Sequence, residues 1–576
     1  MPPAKAGYLC SAGNFKANQM KEQDFMINIC WIRQIVLAGS YFYLALPFMI
    51  FLLGWCRLSV GIPAALVIVA SVTGCLREQR SHQQNEQARA SGRHGNEQAR
   101  VTAIHWKKLA VITVFLLAWT WLSGIGGFVW QNGDHYFRNT MFSLLVEEKW
   151  PLVRQVATDA GIEARGMVYY IGYWLPSAMV GKLFGMRAGR VAQCVWALAG
   201  IALVYALICL RRKKLAVWPL VLIIFFSGMD VLGVRLGTSQ ELQIFGETHL
   251  EHWLPCYQFS SMTTQLFWVF NQAVPAWVLC ALVFLGETPK NLVFLCTLLI
   301  LTATFPFVGL IPFICYFMVS RCQWDSWKDC WNNWCSLQNI AGGAAAVLFG
   351  GIYILGNYAV RDSLAFLNSD RRILILIGGM AVAIAFSGII AVLLMRGWGG
   401  MLFKLIVVLG VVLFAVRLCH LPYGDGKSPV FYWLRLTFFY MVEAGAFFIV
   451  LYPFVRDKKL FYLNAVWLYV IPLILVGRAD DFCMRASIPG LFLLMLWCIE
   501  ALEKGYENKE KWRVWALVLL LGIGAVTPLH EMKRSFVNTC NDYAYQSVEG
   551  DRIFQIGNFS GSTEGFFWRW IAKKNY

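Results

Sequence analysis

Apolar runs of about 17 to 23 residues recur from Gln34 to His530, each long enough to cross about 30 Å of hydrocarbon as a helix. Inside a bilayer only helices and closed barrels satisfy every backbone polar group, and runs of this length are helical. The expected fold is therefore an all-α polytopic membrane protein. Composition agrees: of 576 residues, 58% are hydrophobic and 14% are charged, where a soluble chain of this size carries about a quarter charged.

The net charge of +17 raises the question of nucleic acid. The lysines and arginines, however, sit in short clusters between the apolar runs. That is a topology signal of the positive-inside kind, and nucleic acid is excluded as a partner. The first span, near 34–54, is too long for a signal-peptide core and lacks a small-residue cleavage site. Most of the 17 cysteines lie inside spans as small apolar residues. Cys256, Cys483 and Cys540 fall in outside segments, and no pairing follows from their spacing.

Placing the basic clusters on one side orders the chain. Residues 1–33 are cytoplasmic, and spans near 34–54 and 58–76 form a tight hairpin. Residues 77–108 are polar and basic, with Asn85-Glu-Gln-Ala-Arg89 repeated at Asn96–Arg100, and are expected to be a disordered cytoplasmic loop. A span at 109–130 leads to an extracytoplasmic loop, 131–190. There Phe137, Met141, Leu144 and Leu145 form an apolar stripe, expected to lie as a helix in the membrane interface. Tyr169–Gly185 and Leu292–Val319 are glycine- or proline-interrupted. Reading both as partial or re-entrant segments keeps Arg211–Lys214 and Arg321–Gln338 inside. The expectation is a transmembrane catalytic domain at 34–530 of about 13 full spans plus two partial ones, and an extracytoplasmic tail at 531–576. The tail ends in an aromatic patch, FFWRWIAKKNY, placed on the membrane or on the protein body.

On this topology acids collect in the outer loops. Asp134 stands out: it lies just past a span end beside His135 and Tyr136, on an amphipathic segment. A carboxylate there suits a general base taking a proton from a sugar hydroxyl. Glu247, in Glu247-Thr-His249-Leu-Glu251-His252-Trp253, and Asp230, at a span end, are alternative bases. His249 and His252 share a helical face, but the HExxH arrangement is absent. A divalent metal is the only cofactor alternative raised, and a substrate-binding loop is the reading preferred. Arg485 and Arg235 are candidates for gripping a phosphate, since the guanidinium fork matches a pair of phosphate oxygens. Asp481 could partner Arg485 or bind acceptor, and Trp253, Tyr257 and Trp268 could stack on a sugar or isoprenoid.

An acid in the first outer loop, interfacial helices in that loop, about a dozen spans and later outer arginines together resemble the GT-C superfamily of integral membrane glycosyltransferases. The passages GDHYFRNTMFSLLVEEKWPLV, CYQFSSMTTQLFWVFNQAVPAW and DDFCMRASIPGLF carry the likeness. The resemblance implies a polyprenyl-phosphate sugar donor, with Asp134 matching the loop-one base and Arg485 an arginine on the lipid phosphate. The adjacent pair of acids found in several members is absent, because His135 follows Asp134. The expected function is inverting transfer of a sugar to a glycan, lipid or protein acceptor outside the plasma membrane. Two rivals are a polysaccharide polymerase or ligase, resting on the Arg417–Arg435 loop, and a transporter or flippase of lipid-linked sugar. Against the transporter stands the expectation that mid-span positions are almost wholly apolar.

Overall fold

The computed structural model describes residues 25–91, 101–104, 106–158, 161–237, 249–254, 257–322, 327–363, 429–474, 481–507, 510–541 and 543–574. These residues are mostly helical. Among them seven helices are long and apolar enough to span a membrane: Trp31–Trp55, Leu58–Ser81, Met186–Arg212, Val217–Gly237, Met262–Leu285, Gln338–Leu355 and Lys511–Cys540. Two shorter apolar helices, Pro289–Leu301 and Thr304–Ser320, accompany them. Such a set is compatible with a multi-pass membrane protein.

Helix α1 (Ile29–Trp55) and α2 (Leu58–Ser91) form the expected hairpin. Helix α2 continues well past the apolar run, so much of the stretch expected as a disordered loop is helical. Its Glu, Gln, Ala and Arg residues are good helix formers, and no glycine or proline interrupts them before Ser91. Beyond it, strand β2 (Val101–Ile104) pairs antiparallel with β1 (Phe25–Asn28). Then come α3 (Trp106–Leu122) and α4 (Gly133–Glu147). Helix α4 is not a surface helix. Met141, Phe142 and Leu145 are fully enclosed, because strands β3 (Val153–Thr158), β4 (Gly161–Met167) and β5 (Ser560–Ser562) form an antiparallel sheet with the tail, and further tail residues pack on the helix. Thr140 Oγ1 donates to Val548 O at 2.8 Å and Asn139 Nδ2 to Gln546 O at 2.7 Å. The small sheets are the part of the fold that an all-α expectation leaves out.

A short α5 (Leu175–Phe184) turns back at Gly185 into α6 (Met186–Arg212). Helices α7 (Val217–Phe225) and α8 (Asp230–Gly237) share one apolar run. Helix α9 (Met262–Leu285) is the central pillar, 94% buried. Helices α10 (Pro289–Thr297) and α11 (Thr304–Ser320) then go in and come back. Both ends of this hairpin meet at Glu287, whose carbonyl accepts from Arg321 at 2.6 Å, while its tip reaches the first loop at Gly172. A side chain at Gly172 would lie 2.6 Å from the Thr302 methyl, so the approach needs glycine. That return to the starting side is what the re-entrant reading of Leu292–Val319 requires.

Helix α12 (Gln338–Leu355) follows, and α13 (Pro429–Tyr440) runs through a π-turn, Met441–Gly445, into Ala446–Leu451. Helices α14 (Lys458–Val470), α15 (Asp481–Ala486), α16 (Ile488–Glu507), α17 (Lys511–Gly524) and α18 (Val526–Cys540) complete the body. Ionic contacts separate two ends. At one, Lys290 meets Glu78 at 3.0 Å and Arg212 meets Glu503, uniting segments expected inside. At the other, the first loop and the tail share a sheet, as segments expected outside.

Candidate active site

The site is organised by a break in α9. At Val269 the backbone leaves helical values (φ −134°, ψ 32°), and the Phe267 and Trp268 carbonyls are met by side chains from the first loop. Asn132 Nδ2 donates to Phe267 O at 2.9 Å, His135 Nε2 to the same oxygen at 2.9 Å, and Arg138 to Trp268 O. Polar residues at Asn132, His135 and Arg138 therefore fasten the start of α4 to the broken turn.

This fastening aims Asp134 outward. Asn132 caps the helix by accepting from the Asp134 amide, and the Asp134 carboxylate lies in the first turn, where the helix dipole favours an anion. Its side chain is 47% exposed and accepts from Arg138 at 3.0 Å. Arg138 was not picked out from the sequence, although its i,i+4 spacing from Asp134 was there to read.

Tyr169 and Tyr170 lie later in the first loop. Burial raises both hydroxyls above the ordinary tyrosine value, with Arg138 and Arg485 opposing that rise. Asp134 acts on Tyr169, and Asp481 on Tyr170. The fields of the first-loop carboxylate and of the Arg485 guanidinium are thus both felt at the Tyr169 hydroxyl. Arg485 is nine-tenths buried on α15, donates to the Asp481 carbonyl at 3.0 Å and to its carboxylate, and its Nε has no partner. Asp481, grouped above with acceptor-binding residues, is held as the partner of Arg485. Arg235 projects from the exposed last turn of α8 and makes no contact with Asp134 or Arg485.

Other candidates are turned inward. His135 is 1% exposed with both ring nitrogens engaged, Nδ1 facing Gln131 at 3.1 Å. Burial, seconded by the Arg138 charge, lowers its pKa to about 4. It holds structure and is closed to an acceptor. Tyr136 is half-buried. Trp253 and Tyr257 are core residues packed on Phe439, and the Trp253 indole donates to Glu443 at 2.9 Å. Asp230 is 1% exposed and accepts from Ser227 and Thr527 at 3.0 and 2.8 Å. Its carboxyl faces that of Glu443, with Glu251 nearby. Gly228 makes room: any side chain there would strike the Glu443 carboxyl.

Glu443, 1% exposed in the π-turn that follows α13, is a buried acid inside an otherwise apolar helical run. A lone acid in TFFYMVEAGAFFIV was the available signal.

His249 belongs to a second network. Its Nδ1 bonds Glu531 at 2.9 Å, and Glu531 also accepts from Trp268 Nε1 at 3.0 Å and Arg534 at 2.8 Å. Burial lowers the His249 pKa, but the Glu531 carboxylate outweighs it and leaves the imidazole above its ordinary value. Gln258 joins this network to Glu251 at 2.8 Å. Trp268 links the two networks, its carbonyl taking Arg138 and its indole Glu531. Glu247, the alternative base and one of the two glutamates beside His249 and His252, lies outside the described residues, as does most of the Arg417–Arg435 loop. Among the described residues no group of three His, Cys, Asp or Glu is placed to hold a metal.

No protein-family model matches this chain, and no curated protein or solved structure matches it.

Proposed function

We propose that the protein is a GT-C-type glycosyltransferase that moves a sugar, with inversion, from a polyprenyl-phosphate donor to a glycan, lipid or protein acceptor outside the plasma membrane. The supporting observations are a half-exposed Asp134 carboxylate held by Arg138 at the start of α4 and a buried Arg485 on α15 with an unpartnered Nε, both acting on Tyr169. The acceptor hydroxyl oxygen attacks the anomeric carbon and its proton passes to Asp134. The bond from anomeric carbon to phosphate oxygen breaks, and its electron pair leaves with the lipid phosphate. Arg485, with one unpartnered N–H, holds that phosphate as its charge grows. Arg138 keeps Asp134 aimed.

The test is transfer by purified protein across a panel of polyprenyl-phosphate sugars, comparing wild type with Asp134→Asn. Loss of a general base costs about 10²- to 10⁴-fold in turnover, and a loss in that range with unchanged donor binding is expected. An unaltered rate in the variant would sink the assignment of the base. Arg485→Gln should instead weaken donor binding.

A second reading, transport of a lipid-linked sugar, is favoured by one observation. Asp230, Glu443 and Glu251 form a buried carboxyl group of the kind transporters place within their spans. Uptake of donor into sealed vesicles, blocked by Glu443→Gln and indifferent to Asp134→Asn, would select it.

A further inference from the structure

The end of the tail closes on the turn between α1 and α2. Arg57 donates through Nε to Ala572 O at 3.1 Å and through a terminal nitrogen to Arg569 O at 2.8 Å. The Arg57 amide donates to Ile571 O, and the Lys573 amide to Trp55 O at 2.9 Å. An open cleft of about 390 Å³ lies beside this clasp, lined by Arg57, Thr563, Trp568, Arg569, Trp570 and Lys574. That volume falls in the lower range of small-ligand sites.

Three of the six lining residues are cations and none is an acid. Arg57, Arg569 and Lys574 form no ion pair with any carboxylate among the described residues. The nearest acid in sequence, Glu564, is exposed and does not line the cleft. Unpaired cations crowded together repel one another, and an anion in the cleft relieves that repulsion.

The surroundings say which anion. The turn joins two helices that are both long and apolar enough to cross the membrane, so the cleft opens at a membrane–water boundary. Leu58, Phe566 and Trp570 stand exposed around it, at 54%, 49% and 64%. Exposed aromatic and aliphatic side chains at this level sit among headgroups and upper acyl chains. A soluble anion would meet the cations without needing that apolar rim.

We propose that this cleft binds the phosphate of an anionic membrane phospholipid, its acyl chains lying against Trp570, Phe566 and Leu58. The site is separate from Asp134 and does not depend on the sugar-transfer reading. Arg57, already holding the tail, offers its remaining nitrogen, while Arg569 and Lys574 supply the adjustable charge.

The experiment places full-length protein in phosphatidylcholine nanodiscs doped with spin-labelled phosphatidylglycerol and reads the motionally restricted fraction. The variant is Arg569→Gln with Lys574→Gln, leaving the Arg57 clasp intact, and unchanged circular dichroism and thermal midpoint show that it folds. Each Lys or Arg near an anionic surface is worth about a fivefold change in association, so the double variant should bind phosphatidylglycerol about 25-fold more weakly. Equal restriction in the variant, or no preference over spin-labelled phosphatidylcholine in the wild type, overturns the site. Inorganic phosphate is the control for source: failure to displace the labelled lipid supports a lipid headgroup, and displacement at millimolar concentration overturns it.

Discussion

Two histidines are tied to the same broken turn and have their pKa values pushed in opposite directions. His135 gives its Nε2 proton to a backbone carbonyl and meets no carboxylate directly, so burial keeps it neutral. His249 packs on Trp268 with Glu531 on its Nδ1, and the carboxylate raises its pKa despite the same burial. Depth alone therefore decides neither charge. The partner does, and the partner shows what each region is for. The His135 side is a fastening to backbone carbonyls that leaves the Arg138-paired Asp134 half-exposed at the rim, while the His249 side is an enclosed knot around Glu531.

The knot should break hardest. Glu531 is 1% exposed and answers both Arg534 and His249, so Glu531→Gln leaves the buried Arg534 cation without its anion and His249 without its carboxylate. Removing one member of a buried ion pair costs about 3–5 kcal/mol. Denaturant titration in mixed micelles should show a loss of that size, and a loss below about 1 kcal/mol would mean that water reaches the knot.

Next in size is the acid limb that His135 imposes. Its pKa is about 4 in the fold against 6.5 as the ordinary value. The unfolded chain therefore takes up the proton first as pH falls, and stability present above pH 6.5 is lost on the way down to pH 4. A gap of 2.5 units is worth about 3 kcal/mol. His135→Gln retains a donor for Phe267 O without titrating, so the difference between variant and wild type should close by that amount as pH falls. The opposite sign holds at His249: its contribution is complete below pH 6.5 and is lost as pH rises through its elevated value. In His249→Gln that upper limb should vanish while the acid limb stays. If both variants changed the same limb, the two regions would not differ in charge.

How much of this was legible depended on range. Apolar length marked helices able to span, and Leu292–Val319, expected from the alternation of basic clusters to be re-entrant, is a helical hairpin whose ends meet at Glu287. Asp134 and Arg485 were legible one at a time, through position at span ends. Their common influence on Tyr169 was not, because that residue lies in a loop whose path is set by tertiary packing. The β3–β4–β5 sheet escaped for a similar reason: β5 comes from the tail, and no local pattern announces so distant a partner. Glu531 and Arg534 were visible as an i,i+3 pair, but the residues that give them meaning, His249 and Trp268, come from elsewhere in the chain.

The smallest effect sharpens the comparison most. Asp134 is 47% exposed, but its i,i+4 partner Arg138 is 6% exposed and also donates to Trp268 O. Surface pairs contribute about 0.3–0.5 kcal/mol, and losing one member of a fully buried pair costs about 3–5 kcal/mol, so a pair with one enclosed charge lies between the two. Asp134→Asn also keeps an oxygen that can accept from Arg138, and Asn132 still caps the helix through the backbone amide of residue 134. Unfolding free energy should therefore move by about 1 kcal/mol, against about 3–5 kcal/mol for Glu531→Gln. A half-exposed carboxylate that costs less to neutralise than the enclosed one is not the main brace of the fold, and its value lies in what it meets from outside. A stability loss from Asp134→Asn as large as that from Glu531→Gln would make Asp134 a second structural knot, and the distinction between the two regions would fail.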